Sequence, residues 1–477
     1  MSTDSHAEFT FSLHAQQEFA ALSGDFNPMH LDEKYARRTM YGGVVAHGVN
    51  VVLTALNSVW ERGRTLRSLK VRFQRPIYLN EALSVSKRKS AGDKQVIEVA
   101  SPAETKLVME IERAESIALA GGFQPGLPPR GEPAALSEIE SGLSGDLDLF
   151  LDETKACALY PRLGDIEARR LAAILATTRI VGMLCPGEHS IFSELDVNFT
   201  DSKPGASSTL HWEVAAYDER FRLARMKIAG DGVEGRIAAF NRPRPFEQPS
   251  MLDIVSASSR RPASDVTALV VGGSRGLGET TAKILAARGA KVFLTYRSGA
   301  ADAERVRNDI MSAGGKAEAI KLDLSSESDV ERSREQIGSI DALLYFASPP
   351  IFRGSRTFSP PLFDEFIAVY VTDFERLTRS FIERGRPLTV FYPSTVAVSE
   401  YTPKMLEYAA AKAAGEQLCR DYPKNYPNVN VLVERLPRLP SDQTQTLVDA
   451  PVEISAVDYL NGVVDKMFAQ AASTRKS

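Results

Sequence analysis

The run "DVTALVVGG" (265–273), followed almost at once by "GETTAKILAARGA" (278–290), constrains the fold more than any other stretch. It reads as a short apolar strand, a glycine-rich turn and an amphipathic helix closed by glycine. "KVFLTYRS" (291–298) follows as a second strand. "AEAIKLDLSS" (317–326), "DALLYFAS" (341–348) and "LTVFYPST" (388–395) repeat the strand pattern between helical stretches. Strands alternating with helices predict a parallel, doubly wound α/β sheet.

Two stretches break periodic structure. Residues 120–135, "AGGFQPGLPPRGEPAA", are dense in Pro and Gly, and residues 241–265, "NRPRPFEQPSMLDIVSASSRRPASD", in Pro, Ser and Arg. Such compositions mark joints. They divide the 477 residues into 1–120, 136–243 and 264–477. The first two segments share a layout. In the first, "GGVVAHGVNVVLTALNSVWERG" (42–63) suits a buried helix, and strand-like runs follow at 69–79, 82–91 and 106–119. In the second, the helix is "RRLAAILATTRIVGML" (169–184), with strands at 193–202, 208–218, 222–230 and 234–242. A helix followed by antiparallel strands, twice, predicts a duplicated α+β unit, although the halves differ letter by letter.

Composition excludes several function classes. Net charge is −4, from 57 basic and 61 acidic residues, so there is no basic footprint for nucleic acid or a membrane surface. The three cysteines, Cys157, Cys185 and Cys419, are far apart and odd in number. Neither a disulfide framework nor a metal site is suggested, and no metal is expected. Scattered thiols, no secretory signal and no apolar run of the ~18 residues a membrane span needs give a cytoplasmic expectation.

The glycine turn carries chemistry. Gly272, Gly276 and Gly278 follow a strand and open a helix, where the backbone can approach a pyrophosphate and the helix N-terminus favours its charge. Further on, Tyr408 and Lys412 in "YAAAK" share one helix face. A nearby ammonium favours the phenolate and would lower the tyrosine pKa. The spacing G-x-x-x-G-x-G together with "YAAAK" resembles the short-chain dehydrogenase/reductase family over most of 264–440. The resemblance implies Tyr408 and Lys412 as catalytic, with Ser394 or Thr395 in "FYPSTVAV" hydrogen-bonding the substrate oxygen. It implies a dinucleotide held by Gly272, Ser274, Arg275, Gly276, Leu277 and Gly278, by Arg297, Asp323 and Leu324, and by Ala347. Arg275 and Arg297, with no acid at the end of the second strand, suit a 2′-phosphate, so NADP(H) is expected over NAD(H). Three positions depart from the family pattern. "YFAS" (345–348) stands for N-N-A-G, Tyr370 for a later Asn, and "LPRLP" (436–440) for Pro-Gly.

Near the front, "GDFNPMH" (24–30) places Asp25 and His30 in a loop shaped by Asn27-Pro28. Gly24 and Pro28 also suit a plain turn, and these letters alone leave both readings open. The wider stretch "LSGDFNPMHLDEKYARRTMYGGVVAHGV" (22–49) resembles the MaoC-like (R)-specific enoyl-CoA hydratases, which have a hotdog fold. The resemblance covers about 10–120 and implies Asp25 and His30 as the catalytic pair. Asn27 would position the loop or His30, and a backbone N–H near Gly48 would hold the thioester enolate oxygen. His47 is expected to be structural. His14, His189 and His211 have no motif around them. The segment 180–199, with Cys185 and His189, reads as part of a degenerate second hotdog rather than a nucleophile pair.

The expected architecture is multidomain, α+β and α/β: a double hotdog, then a Rossmann-type sheet. The expected function is (de)hydration of a 3-hydroxyacyl thioester joined to 3-ketoacyl reduction, on an acyl-CoA or acyl-carrier-protein substrate. A homo-oligomer, dimer or tetramer, is expected. Two alternatives stay open: a reductase whose hotdog pair only binds or assembles, and a (de)hydratase with a nucleotide-sensing reductase-like domain.

Overall fold

A computed structural model describes residues 5–115, 123–201, 207–257, 263–354, 357–383, 385–447 and 454–474. The chain forms two compact units, residues 1–245 with 446–450, and residues 246–445 with 451–477.

In the first unit, ten strands make one antiparallel sheet: β1 (Ser5–Phe9), β2 (Arg64–Phe73), β3 (Leu83–Ala91), β4 (Lys94–Ala100), β5 (Thr105–Glu115), β7 (Ser144–Asp148), β9 (Ser190–Phe199), β10 (Thr209–Asp218), β11 (Leu223–Gly230) and β12 (Val233–Asn241). A separate parallel pair, β6 (Gln124–Pro125) and β8 (Phe150–Leu151), lies between its halves in sequence. The sheet order is β1-β3-β4-β5-β2-β9-β12-β11-β10-β7. Read inward from each edge, the order repeats: β1-β3-β4-β5-β2 in one half and β7-β10-β11-β12-β9 in the other. The halves join where β2 pairs with β9, Leu69 opposite Val197 and Val71 opposite Leu195. All four of these side chains are buried.

The helices of this unit are α1 (Leu13–Ser23), α2 (Glu33–Ala36), α3 (Gly48–Val59), α4 (Glu153–Leu159) and α5 (Ala168–Arg179). Helices α3 and α5 occupy equivalent places in the two halves. Val49, Val52, Leu53 and Leu56 of α3 and Leu171, Ile174 and Leu175 of α5 enter one core with side chains from both halves of the sheet. The two front segments are therefore one unit rather than two bodies. Strand β2 starts earlier than its apolar run predicts and ends at Phe73, short of Pro76, which has no N–H to give a ladder. The expected 42–63 helix is helical only over Gly48–Val59, because Val45 bridges to Tyr78 instead. Strands β1, β4 and β7 carry no pattern the periodicity picked out. The end of the expected 106–119 strand lies outside the described residues.

The second unit is a six-stranded parallel sheet of β13 (Thr267–Val271), β14 (Lys291–Tyr296), β15 (Lys316–Lys321), β16 (Ala342–Tyr345), β17 (Leu388–Thr395) and β18 (Val429–Leu436). Its order, β15-β14-β13-β16-β17-β18, reverses between β13 and β16, and the crevice beyond the carboxyl ends there is where such sheets bind ligands. The helices are α6 (Met251–Ala257), α7 (Gly276–Ala287), α8 (Ala300–Ser312), α9 (Glu327–Ile337), α10 (Pro360–Ile367), α11 (Phe374–Ser380), α12 (Leu406–Asn425) and α13 (Ala456–Thr474). Apolar clusters cover both faces, as a doubly wound sheet requires.

Both expected joints carry structure. In the second, α6 buries Met251 and Ile254 in the core of the second unit. Lys283 Nζ donates to the Pro249 carbonyl and Thr280 to Gln248, which pins the chain before α6 to α7. The composition of this stretch hides two apolar anchors among its Ser and Arg residues. In the first joint, Gln124–Pro125 pair with β8, Ala134 N–H donates to Met183 O, and Ala135 bridges to Gly187.

Both tryptophans, Trp60 and Trp212, lie in the first unit, so their fluorescence reports on that unit. Leu53 is fully buried on α3. Leu53→Ala is expected to lower the stability of the first unit by about 2–5 kcal/mol. Urea unfolding followed by tryptophan fluorescence measures this.

Candidate active sites

The loop after α1 begins at Gly24, a left-handed C-cap that satisfies the Ala20 carbonyl. Asn27 caps the following turn by accepting the Met29 N–H, and Pro28 starts that turn. Asp25 is thereby drawn inward, 1% exposed. Its Oδ2 accepts from Thr178 Oγ1 at 2.6 Å and its Oδ1 from the Asn27 N–H at 3.1 Å. Burial pushes the Asp25 carboxyl above its ordinary pKa, opposed by His30, by Thr178 and by the Asn27 N–H.

His30 Nδ1 donates to the Val45 carbonyl at 2.7 Å. A carbonyl only accepts, so this contact fixes the neutral tautomer with Nε2 as the bare acceptor. Desolvation lowers the His30 pKa, against the pull of Asp25. His47 stacks on His30 with ring centroids 4.0 Å apart. Asp25, His30 and His47 each bring a ligand-type atom within 4.8 Å of the others. Both His47 nitrogens already face partners, Nδ1 the Gln16 Oε1 at 2.8 Å and Nε2 the Asp25 carbonyl at 3.0 Å. His47 thus braces the loop, and Asp25 and His30 remain as the paired acid–base groups. Gly48 begins α3, whose first N–H groups have no acceptor within the helix.

The second half of the sheet supplies much of this loop's support. Asn27 Nδ2 lies 3.1 Å from the Gly182 carbonyl, 3.1 Å from that of Gly187 and 3.2 Å from that of Glu188. Gly182 belongs to the π-helical turn Ile180–Leu184 that extends α5. A Cβ there would stand 2.2 Å from Asp25 Oδ1, so only glycine lets the carboxylate in. The first joint also reaches this loop: Arg130 lies over the Phe26 ring at 5.0 Å. Thr178, Gly182 and Gln16 escaped the sequence reading. In "ATTRIVGML" a threonine and a glycine look like ordinary helix residues, and no spacing ties them to Asp25. Cys185 is buried and its thiol pushed up to about 12 by desolvation, which makes it a poor nucleophile.

In the second unit, the glycine turn lies at the carboxyl end of β13. Gly272 has φ +75°, and a Cβ on Gly278 would meet the Gly272 carbonyl oxygen at 2.3 Å, so the turn is compact because neither residue has a side chain. Ser274 and Arg275 precede α7, and Gly276, Leu277 and Gly278 form its first turn. This backbone cradle and the helix N-terminus fit a pyrophosphate. The Ala347 N–H lies against Gly272. Arg275 faces Asp442 at 3.6 Å, a partner the sequence reading did not foresee, while Arg297 is exposed near Asp323. The Asp323 carboxylate is held low by hydrogen bonds from Ser325. Leu324 follows it beyond β15.

Tyr408 and Lys412 share a face of α12, as their spacing predicts. Thr395 lies on the Tyr408 side and pulls against the effect of burial on the phenol. Ser394 does not join them: its hydroxyl donates to Glu416 at 2.6 Å, and Glu416 is paired with Arg435. Neighbouring residues on a strand point to opposite faces, so one of the two had to turn away. The expected lowering of the Tyr408 pKa is also corrected. Burial pushes Tyr408 up to about 12, and Lys412 Nζ donates to the Pro393 carbonyl at 2.7 Å.

Comparison with known proteins follows the division into units. The family profile described as short chain dehydrogenase matches residues 266–437, and that described as MaoC like domain matches residues 2–110. The chain is 29% identical over 205 residues to a rhamnolipids biosynthesis 3-oxoacyl-[acyl-carrier-protein] reductase of Pseudomonas aeruginosa, covering 40% of this chain and 78% of the relative. It is 40% identical over 85 residues to the short-chain dehydrogenase/reductase homolog YusS of Bacillus subtilis, covering 17% of this chain and 78% of the relative. It spans less than two thirds of the length of several other curated relatives. A solved Pseudomonas aeruginosa RhlG/NADP active-site complex is 27% identical, with 38% of this chain and 75% of that chain covered and a TM-score of 0.35. No helix among the described residues is long and apolar enough to cross a membrane. The chain therefore belongs to two families fused on one polypeptide, with a MaoC-like hotdog domain at its N-terminus and a short-chain dehydrogenase domain, with a Rossmann-like parallel sheet, at its C-terminus.

Proposed function

We propose that the chain is a bifunctional enzyme, a 3-hydroxyacyl-thioester (de)hydratase and an NADP(H)-dependent 3-ketoacyl/3-hydroxyacyl-thioester reductase. The observation that carries the reading is the acid–base pair of the first unit: a buried carboxyl with two donors beside an imidazole whose tautomer leaves Nε2 bare. The naming of the Pseudomonas relative as a 3-oxoacyl-[acyl-carrier-protein] reductase supports the second half. A 3-hydroxyacyl thioester is the compound the two reactions share. The second half of the sheet is read as a degenerate second hotdog that completes the site without one of its own.

In hydration, Asp25 and His30 hold one water between them. His30 Nε2 takes a proton as the water oxygen bonds to C3. The π electrons move toward C2 and the thioester oxygen, which the backbone N–H near Gly48 stabilises. His30 then gives that proton to C2, so the water is divided as OH on C3 and H on C2, and dehydration is the reverse. Asn27 anchors the loop.

In the second unit, the glycine cradle from Gly272 to Gly278 would hold the pyrophosphate of a dinucleotide. Arg297 and Arg275 would hold its 2′-phosphate, Asp323 and Leu324 its adenine end, and Ala347 would border the cradle. A reduced nicotinamide held there would supply hydride to the carbonyl carbon. Tyr408 gives its proton to the substrate oxygen, and Thr395, not Ser394, hydrogen-bonds that oxygen. A phenol held protonated by burial suits the reductive direction.

Three outcomes test these roles. Asp25→Asn is expected to abolish hydration of crotonyl-CoA while leaving NADPH-dependent reduction of 3-ketobutyryl-CoA, and Tyr408→Phe to do the converse. Product analysis of each variant with each nicotinamide cofactor decides, and hydration surviving Asp25→Asn would remove the first site from the proposal. Thr178→Val takes a donor from the Asp25 carboxylate, so the acid limb of the hydration pH profile should move to higher pH, and Thr178→Ser should restore it. The third outcome concerns stability. Asp25 binds its proton more tightly in the fold than in the unfolded chain, so its contribution is full below the ordinary carboxylate range and is lost as pH rises through the raised folded value. The Tm of Asp25→Asn relative to the native chain should therefore improve from pH 4 to pH 8, as scanning calorimetry would show.

A further inference from the structure

Lys412 is 4% exposed, and a buried ammonium needs compensation. Its one hydrogen bond among the described residues goes to the Pro393 carbonyl. Three aromatic rings stand around it. Nζ stands 3.9 Å from the Tyr370 ring centroid, 4.9 Å from that of Tyr392 and 6.0 Å from that of Tyr408. Ring faces are negative and attract cations, and desolvation strengthens the attraction. Tyr370 is the nearest ring and is itself fully buried.

Tyr370 is fixed from several sides. Its hydroxyl bonds Ser348 Oγ at 2.6 Å, and Ser348 donates to the Pro349 carbonyl at 2.9 Å. Its carbonyl accepts from Tyr392 at 3.1 Å, and the neighbouring Val369 carbonyl accepts from Tyr345 at 2.7 Å. Val369 and Tyr370 sit on a π-helical turn, Ala368–Asp373, a form that often marks functional positions. Tyr345, Ser348 and Tyr370 are departures from the family pattern, and they touch one another through this turn.

We propose that Tyr370 is the positioning residue for Lys412: its ring face holds the ammonium beside Tyr408. The inference rests on reading Tyr408 and Lys412 as the reductase pair. The groups around Lys412 are Tyr408, Glu416 and Cys419 on α12, Tyr370 on the π-helical turn, and Tyr392 and the Pro393 carbonyl on β17. Burial brings the Lys412 amine down to about 7, while Cys419 and Glu416 pull the other way, so loss of a ring face should be visible near neutral pH.

The test is an NMR titration of Lys412 in the full chain labelled with 13Cε-lysine, its signal assigned with Lys412→Arg. Tyr370→Leu is expected to reduce the proton affinity of Lys412 about tenfold, the size of a desolvated cation–π contact. Tyr370→Phe, which keeps the face, should change it less than threefold. A series with phenylalanine at 370 carrying more ring fluorines preserves shape while draining the face, and serves if the leucine variant does not fold. A stepwise fall supports the proposal, and a flat series, or a leucine variant titrating like the native chain, overturns it. Failure of the native chain to reduce any 3-ketoacyl thioester would instead overturn the reductase reading, because the titration itself needs no substrate.

Discussion

A carboxylate with almost no water around it must find its donors in the protein, and Asp25 finds one of them in the other half of the sheet. That requirement explains much of the first unit. Thr178 reaches Asp25 only because α5 lies beside the loop after α1, and α5 lies there because β2 and β9 zip the two halves into one sheet. Gly182 and the π-helical turn make room for the carboxylate, and Asn27 ties the same turn back to the loop. The second half has no acid–base loop of its own, yet the first half's loop would leave a buried charge short of a donor without it.

The two units use burial for opposite purposes. In the first, desolvation works on an acid and a base together, raising Asp25 and lowering His30. In the second, burial keeps the Tyr408 phenol protonated and sets the Lys412 ammonium against ring faces. Structural ion pairs stand apart from both: Glu416 with Arg435 occupies Ser394, and Glu279 with Lys283 and Arg305 braces α7.

Much of this was legible in the sequence. The alternation of strand and helix after residue 265 and the glycine turn announce a parallel sheet, because their signals are local. Asp25 and His30 share one short loop, and Tyr408 and Lys412 share one helix face, so spacing alone brings each pair together. What stayed hidden depends on contacts far apart in the chain. Thr178 is invisible as a partner of Asp25 because nothing in its own helix marks it. The choice between Ser394 and Thr395 turns on which face of β17 looks toward α12, and two adjacent hydroxyl residues do not encode that. The helix at Met251–Ala257 hid inside a stretch rich in Ser, Pro and Arg because only Met251 and Ile254 anchor it.

Asn27 has a chemical consequence beyond its hydrogen bonds. An exposed asparagine ages when the following backbone nitrogen attacks its side-chain amide, forms a cyclic imide and expels ammonia. Here that nitrogen belongs to Pro28, which carries no hydrogen to lose, and the amide is buried against three carbonyls. The residue that laces the two halves together is thereby shielded from a common route of spontaneous covalent damage. The dipeptide that shapes the loop also gives it chemical endurance.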